Sequence, residues 1–165
     1  LPDSSVILGY LEHRYPEPPL LPQQAGPRAR ALWFEEYADT KLGETVAAVF
    51  FQRVVRPNVL KQETDSVAVE RLLDVALPKV LDYLTSCLGD DDFMVGSSFS
   101  LADIALTSPF VNFALAGETI DRIRWPAMAN YIERVHGLPS YRPIVEADLA
   151  GPFARFKPQT YKSLQ

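Results

Sequence analysis

The chain has little of the two residue types that build disulfide frameworks and most protein metal sites. It contains one cysteine, Cys87, and two histidines among 165 residues. A single cysteine cannot form an internal disulfide, and it excludes a cysteine-based metal cluster. Because no cysteine or second histidine lies near His13 or His136 in the sequence, no metal site is expected. A reducing cytoplasm is the simplest location for such a protein.

The chain also lacks an excess of basic residues and a membrane-spanning apolar run. Lysine and arginine number 16 against 21 acidic residues, which gives a net charge of −5. A nucleic-acid surface needs a basic stripe, so a nucleic-acid partner is not expected. The uncharged stretch from Ile104 to Ala116 is too short to span a bilayer and contains Pro109, which argues against a membrane helix.

What the chain does have is a hydrophobic content of 47%, ample for a core, and helical periodicity along most of its length. Apolar residues recur at spacings of three and four, which is the pattern of amphipathic helices. This leaves little room for strands and predicts an all-α fold. The predicted helices run from Asp3 or Ser4 to Pro16, from Ala29 to about Val55 before Pro57, over residues 66–88 with a kink at Pro78, over 101–116, over 126–136, and briefly from Pro139.

The clearest local signal is a helix start at Ser100. Ser100 and Asp103 have the spacing of a capping box, and Phe99 and Ile104 stand where a hydrophobic staple places its two side chains. The uncharged helix that follows is predicted to be buried at the centre of the fold. Asp103 could also be interpreted as a catalytic carboxylate, but the capping box accounts for it.

Other polar residues and the cysteine receive structural interpretations. Cys87 lies on an apolar seam and is predicted to be an inert core thiol. The run Asp90–Asp92 lacks the ligand spacing of a calcium loop and is interpreted as a solvated turn. His136, in the last turn of its helix, suits the negative end of the helix dipole. Glu35 and Asp39 are assigned to the solvated faces of the long helix.

The proline-rich segment 17–27 divides the chain into two units. A proline-rich stretch of this kind is a stiff linker. Residues 1–16 therefore form one helix with an apolar face that needs a cover, and residues 28–150 form a helical domain. The tail, residues 151–165 with Phe153, Phe156 and Tyr161, is expected to lie back over that domain. Because the chain begins with Leu1 rather than Met, a missing N-terminal portion is expected.

Two separated motifs in this sequence resemble cytosolic glutathione transferases of bacterial type. Residues 3–11, DSSVILGYL, resemble the end of that family's thioredoxin-like domain. Residues 96–104, GSSFSLADI, resemble the capping box of its all-helical C-terminal domain, and Trp125-Pro126 and Leu138-Pro139 fall where its last helices begin. The resemblance implies a glutathione S-transferase C-terminal-like helical bundle, with residues 1–16 as the one helix left from a truncated thioredoxin-like domain.

The resemblance also implies a function. Asp3 and Ser4 match the acidic residue and serine with which the family holds the γ-glutamyl end of glutathione, although both could merely cap their own helix. Asp39 could serve as the acidic residue that family members bring from a partner subunit. The residue that activates the sulfur is expected upstream of Leu1, so no catalytic residue is expected in this chain, which should be inactive alone.

The full-length protein, on this resemblance, would be a detoxifying cytoplasmic homodimer that conjugates the glutathione thiolate to a small hydrophobic electrophile. Phe34, Tyr37 and Lys41 could line the electrophile pocket, but they are more simply packing or surface residues. The alternative is a non-catalytic interaction module, like the similar helical domains of translation factors, aminoacyl-tRNA synthetases and a starvation regulator. Such a module need not keep Asp3 and Ser4.

Overall fold

The structure, a computed structural model, describes residues 2–156, and every regular element in that part of the chain is a helix. The predicted all-α class is therefore confirmed. The predicted tail is described as far as Phe156, so Tyr161 lies outside the described residues. The helices are α1 (Ser4–Arg14), α2 (residues 25–58), α3 (residues 66–88), α4 (Leu101–Thr107), α5 (Pro109–Leu115), α6 (Pro126–His136) and α7 (Arg142–Leu149), followed by a 3₁₀ turn, Pro152–Arg155.

The core lies between the two long helices and the short ones that follow. α2 packs along α4 and α5, and α6 covers α4 and the second half of α3. Each fully buried side chain of leucine size stabilises the fold by roughly 1.5–3 kcal/mol relative to an exposed one. The large side chains with almost no exposure include Phe34, Leu42, Leu81, Leu84, Leu106, Phe113, Met128 and Tyr131.

Two prolines lie inside the long helices, where the sequence predicted an end and a kink. The predicted end near Val55 is wrong, because α2 continues through Pro57 to Asn58. Each proline lies two residues after the end of a stretch with wider π-helical turns: Phe51–Val55 precedes Pro57, and Leu72–Ala76 precedes Pro78. A proline ring clashes with the carbonyl four residues back in a regular helix. The wider turn changes that spacing, so the helix continues without a break.

The uncharged segment after Ser100 is not one buried helix, as predicted, but two. α4 ends at Thr107, and Pro109 begins α5 after the intervening Ser108. Ser108, Asn112 and Ala114 are exposed. Small and polar residues therefore form a solvent-exposed face of this segment. The prediction missed that face because it contains no charged residue. The short helix predicted from Pro139 likewise begins later, at Arg142.

Helix α1 is attached to the rest of the fold by polar contacts of Glu12 and by Leu8, which packs against the core. The Glu12 carboxylate accepts from the backbone N–H groups of Leu20 and Leu21 at 3.2 and 3.0 Å. Leu101 N–H donates to the Leu20 carbonyl at 2.8 Å, so this segment connects α1 to the start of α4. Since α2 begins at Ala25, the linker is shorter than predicted. The apolar side chains that α1 turns outward are Val6, Ile7, Tyr10 and Leu11, 37–55% exposed.

Candidate functional site

Asp103, at the start of α4, is the centre of a buried hydrogen-bond network. Its carboxylate accepts from the N–H of Ser100 at 2.8 Å and from the Ser100 hydroxyl at 3.0 Å. The other oxygen accepts from Met94 N–H at 2.8 Å and from the Tyr131 hydroxyl at 2.7 Å. Burial, followed by the neighbouring Asp103, raises the pKa of the Tyr131 phenol far above its ordinary value, so this hydroxyl stays protonated and donates. These contacts give Asp103 a structural role.

Ser100 and Asp103 form the predicted capping box at the N-terminus of α4. Phe99, predicted to be half of a staple with Ile104, has its ring centroid 6.1 Å from Phe93 and 6.4 Å from Tyr141. Phe99 and Ile104 are both half-buried and packed against the core. Phe99 therefore connects the start of α4 to the residue that precedes α7.

A second polar cluster lies at the N-terminus of α1. Asp3 is the N-cap, and its Oδ1 accepts from Val6 N–H at 3.0 Å. The backbone N–H groups of Ser4 and Ser5 donate no hydrogen bond within the described residues. The first turn of α1 therefore presents two N–H donors without an acceptor among residues 2–156, together with the positive end of a helix dipole, and both features favour a carboxylate ligand.

Two carboxylates of α2 approach the same turn from the side. The Ser5 hydroxyl donates to Glu35 Oε1 at 2.7 Å, and the Ser4 hydroxyl donates to Asp39 Oδ2 at 3.4 Å. Glu35 is only 6% exposed, so its predicted place on a solvated face is wrong. Asp3, Glu35 and Asp39 form no ion pair within the described residues. Within the part of the chain that the structure describes, N–H donors without an acceptor thus lie beside carboxylates without a basic partner.

The predicted site residues fall into two separate groups. Asp3 and Ser4 lie together at the start of α1 and contact α2, whereas Phe99, Ser100, Asp103 and Ile104 surround the start of α4. Sequence reasoning missed Ser5 and Glu35. The available signal was weak: Ser5 follows Ser4, and Glu35 precedes Asp39 by one helical turn, which puts both carboxylates on one face.

The residues suggested for an electrophile pocket have other contacts. Phe34 is buried in the core, and Lys41 pairs with Glu44 at 3.2 Å on the surface. Tyr37 is half-buried, with its ring 4.9 Å from that of Tyr83. Cys87 is half-buried with a free thiol. Among residues 2–156, no three histidine, cysteine or acidic side chains are arranged to hold a metal ion. No helix in this range is both long and apolar enough to cross a membrane.

His136, at the end of α6, borders a cavity of about 660 Å³ between α5, α6 and α7. Its Nε2 lies 2.9 Å from the Thr107 carbonyl, and its ring is edge-on to Tyr141 at 5.9 Å. Burial lowers the pKa of this imidazole below 6.5, although the bond to Thr107 acts in the opposite direction. His136 lies in the last turn of its helix, as predicted, but burial favours the neutral form of the ring over the cation that the helix dipole would stabilise.

The lowered pKa of His136 predicts a pH-dependent stability. The folded state binds this proton less readily than the unfolded chain, so its contribution is complete above pH 6.5 and is lost as pH falls towards the folded-state pKa. His136→Gln keeps a donor for Thr107 but cannot titrate in this range. Thermal melts between about pH 7.5 and 5 should show a smaller decline for this variant. An equal decline in both proteins would contradict the prediction.

The fold and part of the sequence are similar to those of a known family. Residues 66–134 match the family described as glutathione S-transferase, C-terminal domain. This match and the all-helical fold support the resemblance to the helical C-terminal domain of the glutathione S-transferases that the sequence implied. A glutathione S-transferase from Rhodospirillum rubrum superposes with a TM-score of 0.77 at 25% identity, covering 95% of this chain and 68% of that one.

Two further relatives extend the comparison. A glutathione S-transferase from Methylobacterium radiotolerans, solved in complex with glutathione sulfonate, has 28% identity and a TM-score of 0.68, and covers 88% of this chain and 66% of its own. FtsZ-localized protein A of Caulobacter vibrioides is 25% identical over 146 residues, which are 87% of this chain. The present chain spans only 62% of that relative's length.

Proposed function

We propose that the whole protein binds glutathione through the first turn of α1 and transfers its thiolate to a small hydrophobic electrophile. The observation that supports the proposal is that, among the described residues, the N–H groups of Ser4 and Ser5 have no acceptor and the nearby carboxylates of Asp3 and Asp39 have no basic partner. In the same proposal the protein works as a cytoplasmic homodimer.

The γ-glutamyl end of glutathione is a zwitterion and needs both kinds of partner. Its carboxylate suits the helix N-terminus, where N–H groups and the dipole favour an anion. Its ammonium suits Asp3, whose Oδ1 caps the helix while Oδ2 accepts no bond within the described residues. Asp3 can therefore cap its helix and bind the ligand at the same time, although these two roles were alternatives in the sequence-based prediction.

Asp3→Asn separates the two roles of this residue. Asparagine caps a helix about as well as aspartate, so stability should change by only a few tenths of a kcal/mol. The negative charge that would meet the ligand's ammonium is lost, and a charge-assisted hydrogen bond is worth about 1.5–3 kcal/mol. We therefore expect glutathione affinity to fall by about one to two orders of magnitude in calorimetric titration of the full-length protein.

Asp3→Ala is the matched variant, since it removes both the charge and the cap. It should lose affinity like Asp3→Asn and, in addition, lower stability by about 0.5–2 kcal/mol. Suppose instead that Asp3→Asn binds glutathione as tightly as the unaltered protein while Asp3→Ala has a lower melting temperature. In that case Asp3 is only a helix cap, and the proposed glutathione site is wrong.

The second candidate is a non-catalytic interaction module. It is favoured by the likeness to FtsZ-localized protein A, which extends over 87% of this chain, and by the uncovered apolar side chains of α1. The same titration distinguishes the two functions, because a module of this kind needs no glutathione. Absence of measurable glutathione binding by the full-length protein would favour the module.

A further inference from the structure

The surface that surrounds the cavity between α5, α6 and α7 includes the segment 116–125, and we call it the cavity face. We propose that this face associates with the same face of a second copy of the chain, with the Ile123 side chain of each copy seated in the cavity of the other. The contact goes beyond the function proposed above, and it requires no glutathione. Its basis is a projecting apolar side chain, an apolar cavity beside it, and complementary charges at the edges of both.

Ile123 projects from a fixed turn between α5 and α6. It is 96% exposed, more than any other large hydrophobic side chain of residues 2–156. The Asp121 carboxylate accepts from the N–H groups of Ile123 and Arg124 at 2.9 and 3.2 Å, which fixes the turn. The next residue, Trp125, is buried, and its indole N–H donates to Asp82 at 2.6 Å. Because the turn holds Ile123 away from its own core, a second molecule is needed to remove this side chain from water.

The cavity provides an apolar site of sufficient size beside this projection. Its volume is about 660 Å³, and its walls include Phe110 of α5, Ile132 of α6 and Val145 of α7. Arg122, the neighbour of Ile123, also lines it, so the projection and the cavity lie side by side on one face. In a two-fold symmetric contact a surface must match a copy of itself. A projection beside a cavity meets that condition, because each copy fills the cavity of the other.

The charges at the edges of the cavity face have the same complementarity. Arg124 is exposed beside Ile123 and has no acidic partner among the described residues. Glu146 is exposed at the cavity and has no basic partner in that part of the chain. The other carboxylates at the cavity are already paired: Glu118 with Arg53, and Glu133 with Arg122. A cation beside the projection and a carboxylate beside the cavity attract each other across a two-fold contact. The occupant that these features favour is therefore a second copy of the chain.

Sedimentation of the full-length protein at high concentration tests this contact. The unaltered protein should have twice the mass of Ile123→Asp, because this substitution would put an unpaired charge into the apolar cavity and weaken the association by about tenfold or more. Val67→Asp is the matched control, since Val67 is 76% exposed on α3. That variant should keep the mass of the unaltered protein. Equal masses for the unaltered protein and Ile123→Asp, or the same loss in Val67→Asp, would overturn the proposal.

A mixture of two variants tests whether Ile123 enters the cavity. Ala114→Trp puts a large ring at the exposed edge of the cavity, so it should prevent association as Ile123→Asp does. The two variants together should associate more tightly than either alone, because Ile123 of one copy can enter the open cavity of the other. Ala147→Trp, at an exposed position of α7 that does not line the cavity, should associate normally. A mixture that associates no better than its components would contradict the proposed contact.

A charge reversal tests the predicted orientation of the two copies. Arg124→Glu should weaken the association, because a carboxylate would then face Glu146 of the other copy. Adding Glu146→Arg to the same chain exchanges the two charges and should restore the association. A double variant that associates no better than Arg124→Glu alone would show that these residues do not meet, and the proposed arrangement would be wrong.

Discussion

Asp103→Ala is expected to reduce the free energy of unfolding by on the order of 4 kcal/mol, a large share of the 5–15 kcal/mol typical of a domain. The substitution deletes the acceptor of four hydrogen bonds, from Met94, Tyr131 and two groups of Ser100. Each buried donor left without a partner costs about 1–3 kcal/mol. Urea denaturation followed by circular dichroism measures the loss.

Two single variants show which part of the network carries the effect. Ser100→Ala removes one hydroxyl and should cost about 1 kcal/mol, as for other helix caps. Tyr131→Phe removes a different donor and should cost a similar amount. Because Ser100 and Asp103 share one box, the double variant should cost less than the sum of the single ones. A stable Asp103→Ala protein that has lost glutathione binding would instead make Asp103 a ligand residue.

The local part of this network could be predicted, and the distant part could not. Ser100 and Asp103 are three residues apart, so the geometry of any helix start brings them together. Tyr131 reaches Asp103 only because α6 packs over α4, whereas Met94 lies in the segment that joins α3 to α4. No periodicity in the sequence specifies these contacts, so the residue predicted to be part of a cap is in fact the centre of a buried network.

The candidate site at the start of α1 also has a local part that could be predicted from the sequence and a distant part that could not. Asp3 and Ser4 were proposed because they match two family positions at a helix start, a local feature whose N–H groups favour a carboxylate. Glu35 was assigned to solvent because a glutamate in a charged helix usually lies there. Its burial depends on α1 lying across α2, a contact over 30 residues of sequence. The usual sequence rules treat a proline inside a helix as an end or a kink. They therefore do not predict the π-helical turns that accommodate Pro57 and Pro78.

The ion pair between Arg53 and Glu118 joins α2 to the segment that follows α5. The Arg53 side chain is 4% exposed and that of Glu118 is 24% exposed. Removing one member of such a pair leaves the other charge buried without a partner, whereas removing both also removes the cost of burying them. The effect of a substitution here therefore depends on which charges remain.

Glu118→Ala should accordingly lower the free energy of unfolding by about 3 kcal/mol, because Arg53 stays buried and charged. Adding Arg53→Met to that variant should recover most of the loss, since methionine fills similar space without a charge. Glu133→Ala is the control: its partner Arg122 is exposed, so that change should cost less than about 1 kcal/mol. Urea titrations of the four proteins test the prediction. A double variant less stable than Glu118→Ala would show that Arg53 stabilises α2 through its packing rather than through its charge.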